Sequence, residues 1–298
     1  MTWTANRPES DGELEAVVDV ARRAAELVMQ HYRGTLGVAF KGPGDPVTDV
    51  DRATDDFICG ELRTRFPHAA IVAEESVPAD PAALEALLRS SEIFYVDPID
   101  GTREFVAGRG EFAVMIGLVR GEAVALGVVA LPAERLLLAG RMGGPAYAEG
   151  ADGERRPLRV STAGELRGAR VVVSRARPPL WLDLLAAETG LAPPVAMGSV
   201  GAKVARLACG LGELYLHQGH SIKLWDCCAP AAVLAAAGGS LTDLDGQPID
   251  YTRADLCVRR GVLGSNGRLH HAAVAAITRA ESRHAKRTRQ RRTPSGCR

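Results

Sequence analysis

The hexapeptide Asp97-Pro98-Ile99-Asp100-Gly101-Thr102 sets two carboxylates three residues apart, where the apolar run Ile93-Phe94-Tyr95-Val96 ends. The carboxyl ends of strands are where α/β-type sheets place their chemistry. Pro98 fixes one φ and limits the movement of the acidic pair. Gly101 permits a tight turn and leaves room for an approaching oxyanion. If a helix starts at Thr102, the amides of Gly101 and Thr102 form an anion cradle beside the acids. One turn of chain then offers oxygen ligands for a cation and donors for a phosphate. An Asx-type turn would account for Asp100-Gly101 alone but leaves Asp97 unexplained.

Other acids stand at comparable places. Glu74-Glu75 follows the short apolar strand Ile71-Val72-Ala73, Asp51 falls in the first turn of a helix expected over roughly 52–66, and Asp226 follows Trp225 where an Ala-rich helix begins. Each has a plain structural role in isolation, Asp226 as an N-cap and Asp51 in its helix dipole. Together they form an oxygen-only set without His or Cys at matching spacing. Such a set selects Mg²⁺ or Mn²⁺ over zinc. The charge distribution agrees. From 279 to 298 eight Arg and Lys face Glu281 alone, a surplus of +7; because the whole chain sums to +0, the remaining body carries −7. An acidic body suits a protein that holds cations.

The elements that must position these residues follow from periodicity. Leu14, Val17, Val18, Ala21, Ala24, Ala25 and Val28 recur at helical spacing after Ser10-Asp11-Gly12-Glu13, whose order fits a capping box, so a helix is expected from about 12 to 32. A turn-rich stretch, 41–46, leads to Val47–Asp51. Between 111 and 141 three apolar runs separated by turn-like breaks read as an antiparallel meander. After about Pro157 strands and helices alternate, with strands at 171–173, 214–216, 240–243 and 262–264 and helices at 180–189, from 198, and at 226–237. The expected fold is α+β followed by α/β, with two sheet layers flanked by helices. It divides into an N-terminal half (1–157) with most of the acids, a C-terminal half (158–282) and a basic tail (283–298). The tail lacks apolar periodicity and is expected to be disordered. It could bind an anionic partner such as RNA, although charged ends more often serve solubility.

With 46% hydrophobic and 24% charged residues, the composition is that of a globular protein. Acids at 9, 11, 13, 15 and 19 interrupt any apolar leader, and no uncharged apolar run is long enough to cross a bilayer. The six cysteines show no C-x-x-C pair, which disfavours a zinc site or a disulfide framework. A cytoplasmic protein with reduced thiols is the expectation.

Asp45-Pro46-Val47-Thr48-Asp49-Val50-Asp51, Ala73-Glu74-Glu75-Ser76, Asp97–Thr102 and Trp225-Asp226 through Ala237-Gly238-Gly239 resemble, in order, the signature segments of the inositol monophosphatase superfamily. The resemblance runs from about residue 12 to about 280. It implies a layered αβαβα sandwich, an often dimeric assembly, and Mg²⁺-dependent, frequently lithium-sensitive hydrolysis of phosphate monoesters. By this resemblance Glu74, Asp97, Asp100 and Asp226, with the carbonyl of Ile99, are the metal ligands for about two or three Mg²⁺ ions, Mn²⁺ being the alternative. Asp51 and Thr102 orient the attacking water, with Glu74 also at the catalytic centre. Asp100, Gly101, Thr102 and Asp226 also border the substrate. Ala73 replaces a usual Gly, and Ala236 a common Glu.

Within the superfamily, Arg103-Glu104-Phe105, Gly198-Ser199-Val200-Gly201-Ala202-Lys203 and Ser174-Arg175 resemble bacterial 3′(2′),5′-bisphosphate nucleotidases of sulfate assimilation. That likeness makes Ser174, Arg175 and Lys203 candidates for holding a second phosphate by charge-assisted bonds. Their plain readings are a loop serine and arginine and an exposed helix lysine. His217 falls where inositol phosphatases have an acid that holds sugar hydroxyls. Gly198–Lys203 lacks the G-K-[ST] ending of a triphosphate loop. Adenosine 3′,5′-bisphosphate is the expected small, phosphorylated substrate. Inositol, aminocyclitol, other sugar phosphates or histidinol phosphate form the alternative. A catalytically idle anion- or RNA-binding protein is the rival of a different class.

Overall fold

A computed structural model describes residues 9–34, 37–42 and 45–292. The first half contains α1 (Glu9–His31), β1 (Val38–Gly42), β2 (Asp45–Thr48), α2 (Asp49–Arg65), β3 (Ala70–Ala73), α3 (Pro81–Leu88), β4 (Glu92–Asp100), α4 (Thr102–Val106), β5 (Ala113–Arg120), β6 (Ala123–Leu131), β7 (Leu136–Arg141), β8 (Ala146–Glu149) and β9 (Arg155–Pro157). The second contains β10 (Val171–Ser174), α5 (Leu182–Thr189), β11 (Val195–Met197), α6 (Val200–Ala208), β12 (Leu214–His217), α7 (Leu224–Ala236), β13 (Ser240–Thr242), β14 (Val262–Ser265) and α8 (His270–Arg292).

Strands β3 to β9 form a seven-stranded sheet in sequence order. Its first pair is parallel, with α3 as the crossover, and the rest is the antiparallel meander expected from the turn signals. Alternation along the strands sends Phe94, Val96, Val114 and Ile116 to one face, where α1 and α2 cover them. Tyr95, Ala113, Met115 and Val129 point the other way, into a core shared with α6 and α7. Those helices also cover the second sheet, ordered β11-β10-β12-β14-β13. Its far face, Val171, Val173, Leu214, Leu216 and Leu263, is closed by α5 and α8 through Trp181, Leu185, Ala276 and Ile277. Helix, sheet, helix, sheet and helix therefore stack in turn.

Close approach of α7 to the first sheet depends on glycine. Gly117, Gly127 and Gly140 lie side by side on β5, β6 and β7. A Cβ on Gly127 would stand 2.5 Å from the Ala229 carbonyl oxygen, and one on Gly140 would stand 2.8 Å from Val233 Cα. The Ala-rich face of α7 fits against bare backbone. Gly127→Ala is expected to cost about 1–3 kcal/mol through overpacking, read as a lower urea midpoint at unchanged m.

Two expectations are corrected here. Helix α2 begins at Asp49, ahead of Arg52, because Thr48 caps it: Thr48 Oγ1 accepts from the Asp51 amide and the Asp51 carboxylate accepts from the Thr48 amide. The basic tail is not wholly disordered, since α8 continues to Arg292; residues 293–298 lie outside the described ones. Ala273, Ala276, Ile277 and Ala280 pack the first turns, and helix-favouring Ala, Lys and Arg propagate the rest at little cost. Among the described residues no helix is long and apolar enough to cross a membrane.

Candidate active site

Three elements bring acids to one place. β4 supplies Asp97 and Asp100, and its pairing with β5 shifts register between them. α7 supplies Asp226, which is the third helical residue rather than the N-cap; the Lys223 amide donates to its Oδ2 at 2.7 Å. Carboxylate oxygens of Asp97, Asp100 and Asp226 all lie within 4.8 Å of one another. Glu74, at the end of β3, borders the same cavity.

The cluster is electrostatically strained. Asp97 is 1% exposed. Burial pushes its carboxyl well above the usual range, and Glu74, Asp100 and Asp226 push it further. Asp226 is raised by burial and by Asp100 and Glu74. Asp97 Oδ1 is buried without a hydrogen-bond partner among the described residues. An orphaned carboxylate oxygen among like charges fits a hard divalent cation, as does the absence of nitrogen or sulfur from the set.

Asp100 is held differently. Its Oδ2 accepts from Ser199 Oγ at 2.5 Å and from the Gly201 amide at 2.7 Å, both at the start of α6. Ser199 adopts φ +34° and accepts at Oγ from the Ala202 amide at 2.9 Å. Gly101 has φ +94°, and a Cβ there would meet the Glu111 carbonyl oxygen at 2.9 Å, so this turn requires glycine.

Thr102 Oγ1 lies 3.0 Å from Asp51 Oδ1 and 3.1 Å from the Ile99 carbonyl, as donor to either. Thr102 and Ile99 line the cavity, whereas Asp51 is buried behind them and fixed by Thr48. Desolvation raises the Asp51 carboxyl above its usual range against the bonds from Thr48 and Thr102. Lys41, on β1, donates to Glu74 at 2.7 Å and to Glu75 at 2.6 Å. Burial opposes its charge, but those two carboxylates outweigh it and hold the ammonium above its usual range.

The cavity measures about 550 Å³, and its lining includes basic residues. Lys203 lines it and is only 3% exposed, against the exposed position expected of a helix lysine. Its Nζ donates to the Gly198 carbonyl and sits 5.4 Å from the Tyr215 ring centre, while desolvation lowers its pKa to about 8. Ser174, Arg177, His217 and His220 also line the cavity. Burial lowers the His217 pKa to about 4, so the ring is neutral at physiological pH, 3.0 Å from Ser221 Oγ.

Arg175 is not among the lining residues, which corrects its expected place beside substrate. Its guanidinium is taken by Glu111 at 2.6 Å and Glu104 at 3.3 Å, two carboxylates that outcompete a solvent-facing position. Lys41, Ser199 and Arg177 were missed in the sequence. The signals for them were a lysine in the turn before the first acidic motif, a serine opening a helix, and a second arginine two residues past Arg175.

Residues 11–283 match the family model described as the inositol monophosphatase family. The chain belongs to this family. Among curated relatives of this family member, the 3′(2′),5′-bisphosphate nucleotidase CysQ of Escherichia coli K12 is 34% identical over 241 residues, covering 80% of the chain and 94% of the relative. Inositol monophosphatase 1 of Solanum lycopersicum is 32% identical over 282 residues, covering 90% and 95%. The family and these relatives place the chain among phosphoric monoester hydrolases. The fold is shared with a Thermotoga maritima IMPase at a TM-score of 0.76 and 24% identity, over 92% of this chain and 99% of that one.

Proposed function

We propose that the chain is a magnesium-dependent phosphatase that removes the 3′-phosphate of adenosine 3′,5′-bisphosphate, giving AMP and phosphate. The observation that carries this reading is that one cavity is lined both by clustered acids and by cations of the protein's own. Asp97, Asp100 and Asp226 cluster in its lining, which also includes Lys203 and Arg177. A second phosphate needs cations of the protein's own, and charge-assisted bonds from Lys and Arg supply them. Arg177 is exposed and enters no hydrogen bond or ion pair among the described residues. The Escherichia coli relative supports the nucleotide; the tomato relative, similar over a larger share of the chain, favours an inositol phosphate as the second reading.

Asp97, Asp100 and Asp226, with Glu74 and the Ile99 carbonyl, would hold the magnesium. When bound it supplies positive charge to the phosphate oxygens and acidifies water. The chain does the positioning. Thr102 Oγ1 gives its hydrogen to Asp51 Oδ1 and is left with lone pairs that accept from a water in the cavity. As the water attacks phosphorus, the bond from phosphorus to the 3′-oxygen breaks. Thr102 takes the water's proton and passes its own to Asp51, and the departing 3′-oxygen takes a proton from solvent water. The raised Asp51 carboxyl makes that uptake easier.

The test compares kcat/KM with Mg²⁺ for adenosine 3′,5′-bisphosphate, inositol 1-phosphate and histidinol phosphate. The bisphosphate is expected to lead by about tenfold or more, the scale of one charge-assisted bond. Equal or better turnover of either monophosphate overturns the nucleotide assignment. Arg177→Ala is expected to raise KM for the bisphosphate by about tenfold and leave inositol 1-phosphate nearly unchanged. Lys203 is a poorer probe because its ammonium also holds Gly198.

A further inference from the structure

Asp100 depends on the Gly198–Ser199 turn, and that turn is held from behind by an ionic bridge outside the acid cluster. Glu111 Oε1 accepts from Arg175 Nη2 at 2.6 Å, while its Oε2 accepts from the Gly198 amide, also at 2.6 Å. Arg175 is tied to the same segment at other points. Its amide donates to the Met197 carbonyl at 2.9 Å, and its guanidinium reaches the Ala196 carbonyl at 3.1 Å. Glu104 accepts from Arg175 and lies so close to Gly198 that a Cβ added there would stand 2.4 Å from its side chain and force it to shift. Ser199 follows at φ +34°. A non-glycine residue keeps such a backbone only where its surroundings over-determine it. Ser199 then spends its hydroxyl hydrogen on Asp100.

We propose that Arg175 and Glu111 are positioning residues that fix the Gly198–Ser199 turn so that Ser199 and Gly201 present their donors to Asp100. The proposal rests on the metal-dependent phosphatase reading. Arg175 keeps the Glu111 carboxyl below its usual range, and an ionised Glu111 is the stronger acceptor for the Gly198 amide. Without the bridge the turn relaxes, and Asp100 loses its fixed place beside Asp97 and Asp226. Ser199 and Gly201, each one bond removed from Asp100, are groups of the kind that influence metal affinity. Arg175 and Glu111 act through the turn that holds them.

The experiment uses the purified full chain and reads Mn²⁺ affinity from the EPR signal of free Mn²⁺, independently of turnover. It adds kcat and KM with Mg²⁺ for adenosine 3′,5′-bisphosphate and for p-nitrophenyl phosphate, and melting temperatures. Glu111→Ala is expected to weaken Mn²⁺ binding about tenfold and to lower kcat for both substrates by a similar factor. Glu111→Gln, whose amide oxygen can still accept from Gly198 but whose NH2 loses the ionic bond to Arg175, is expected to recover part of both. Arg175→Ala is expected to fall between the two. Should the alanine variants melt early, Glu111→Gln and Arg175→Lys carry the comparison.

Unchanged Mn²⁺ affinity in Arg175→Ala, with KM raised for the bisphosphate alone, would make Arg175 a substrate ligand and overturn the proposal. Equal loss in Glu111→Gln and Glu111→Ala would also overturn it, since the Gly198 bond would then not matter. A wild-type chain that neither binds Mn²⁺ nor responds to Mg²⁺ removes the underlying phosphatase reading, an outcome separate from either of these.

Discussion

Asp97→Asn is expected to abolish turnover and weaken divalent-cation binding together, with kcat lowered by about 10³-fold or more. Asn keeps the shape and one acceptor oxygen but removes the charge that a hard cation needs. The buried, unpartnered Oδ1 is the reason for placing Asp97 at the centre of the cluster. A second consequence separates this account from simple damage to the fold. In the metal-free chain Asp97 is surrounded by Glu74, Asp100 and Asp226, all of which raise its carboxyl beyond what burial does. Removing one of several mutually repelling carboxylates relieves that repulsion. Metal-free Asp97→Asn is therefore expected to melt above the metal-free wild type while being inactive. Addition of Mg²⁺ is expected to raise the wild-type melting temperature and leave the variant's nearly still. Activity close to wild type, or a variant that melts lower in chelator, would refute the role.

Thr102→Ala is expected to lower kcat by about 10²-fold, with KM and metal affinity changed only modestly. The hydroxyl stands between the cavity and the buried Asp51, 3.0 Å from Oδ1, and Asp51 itself does not line the cavity. Removing the hydroxyl cuts the path between water and base while leaving the acid cluster in place. Thr102→Ser keeps the oxygen and is expected to restore most of the rate. Steady-state kinetics over a magnesium titration separates the outcomes. A loss confined to metal affinity would move Thr102 from water positioning to cation binding.

The sequence revealed most where chemistry and local structure coincide. Asp97 and Asp100 could be read because they end an apolar strand, and a strand end fixes their direction. Asp226 could be read because the Ala-rich run after it had to be a buried helix. The meander showed in its turn residues. What stayed hidden were long-range choices. Lys41 meets Glu74 across 33 positions, and nothing local says that its hairpin folds back over β3. Ser199 reaches Asp100 across 99 positions by way of a backbone angle that serine rarely adopts. Lys203 was a candidate for the second phosphate, but helix spacing alone does not show that both faces of α6 are covered and its side chain buried. Arg175 was misplaced for a related reason: which way an arginine turns at a strand end depends on where Glu104 and Glu111 arrive. The glycines at 117, 127 and 140 were visible singly, but their alignment follows only from strand register.

The central claim is a metal-dependent phosphatase built on Asp97, Asp100 and Asp226. Its most direct test is phosphate release from adenosine 3′,5′-bisphosphate by the full chain, stripped with chelator and then titrated with Mg²⁺. The account predicts no release in chelator and saturable recovery with Mg²⁺, with AMP as the product. Turnover that persists in chelator, or its absence at every Mg²⁺ concentration, would contradict it.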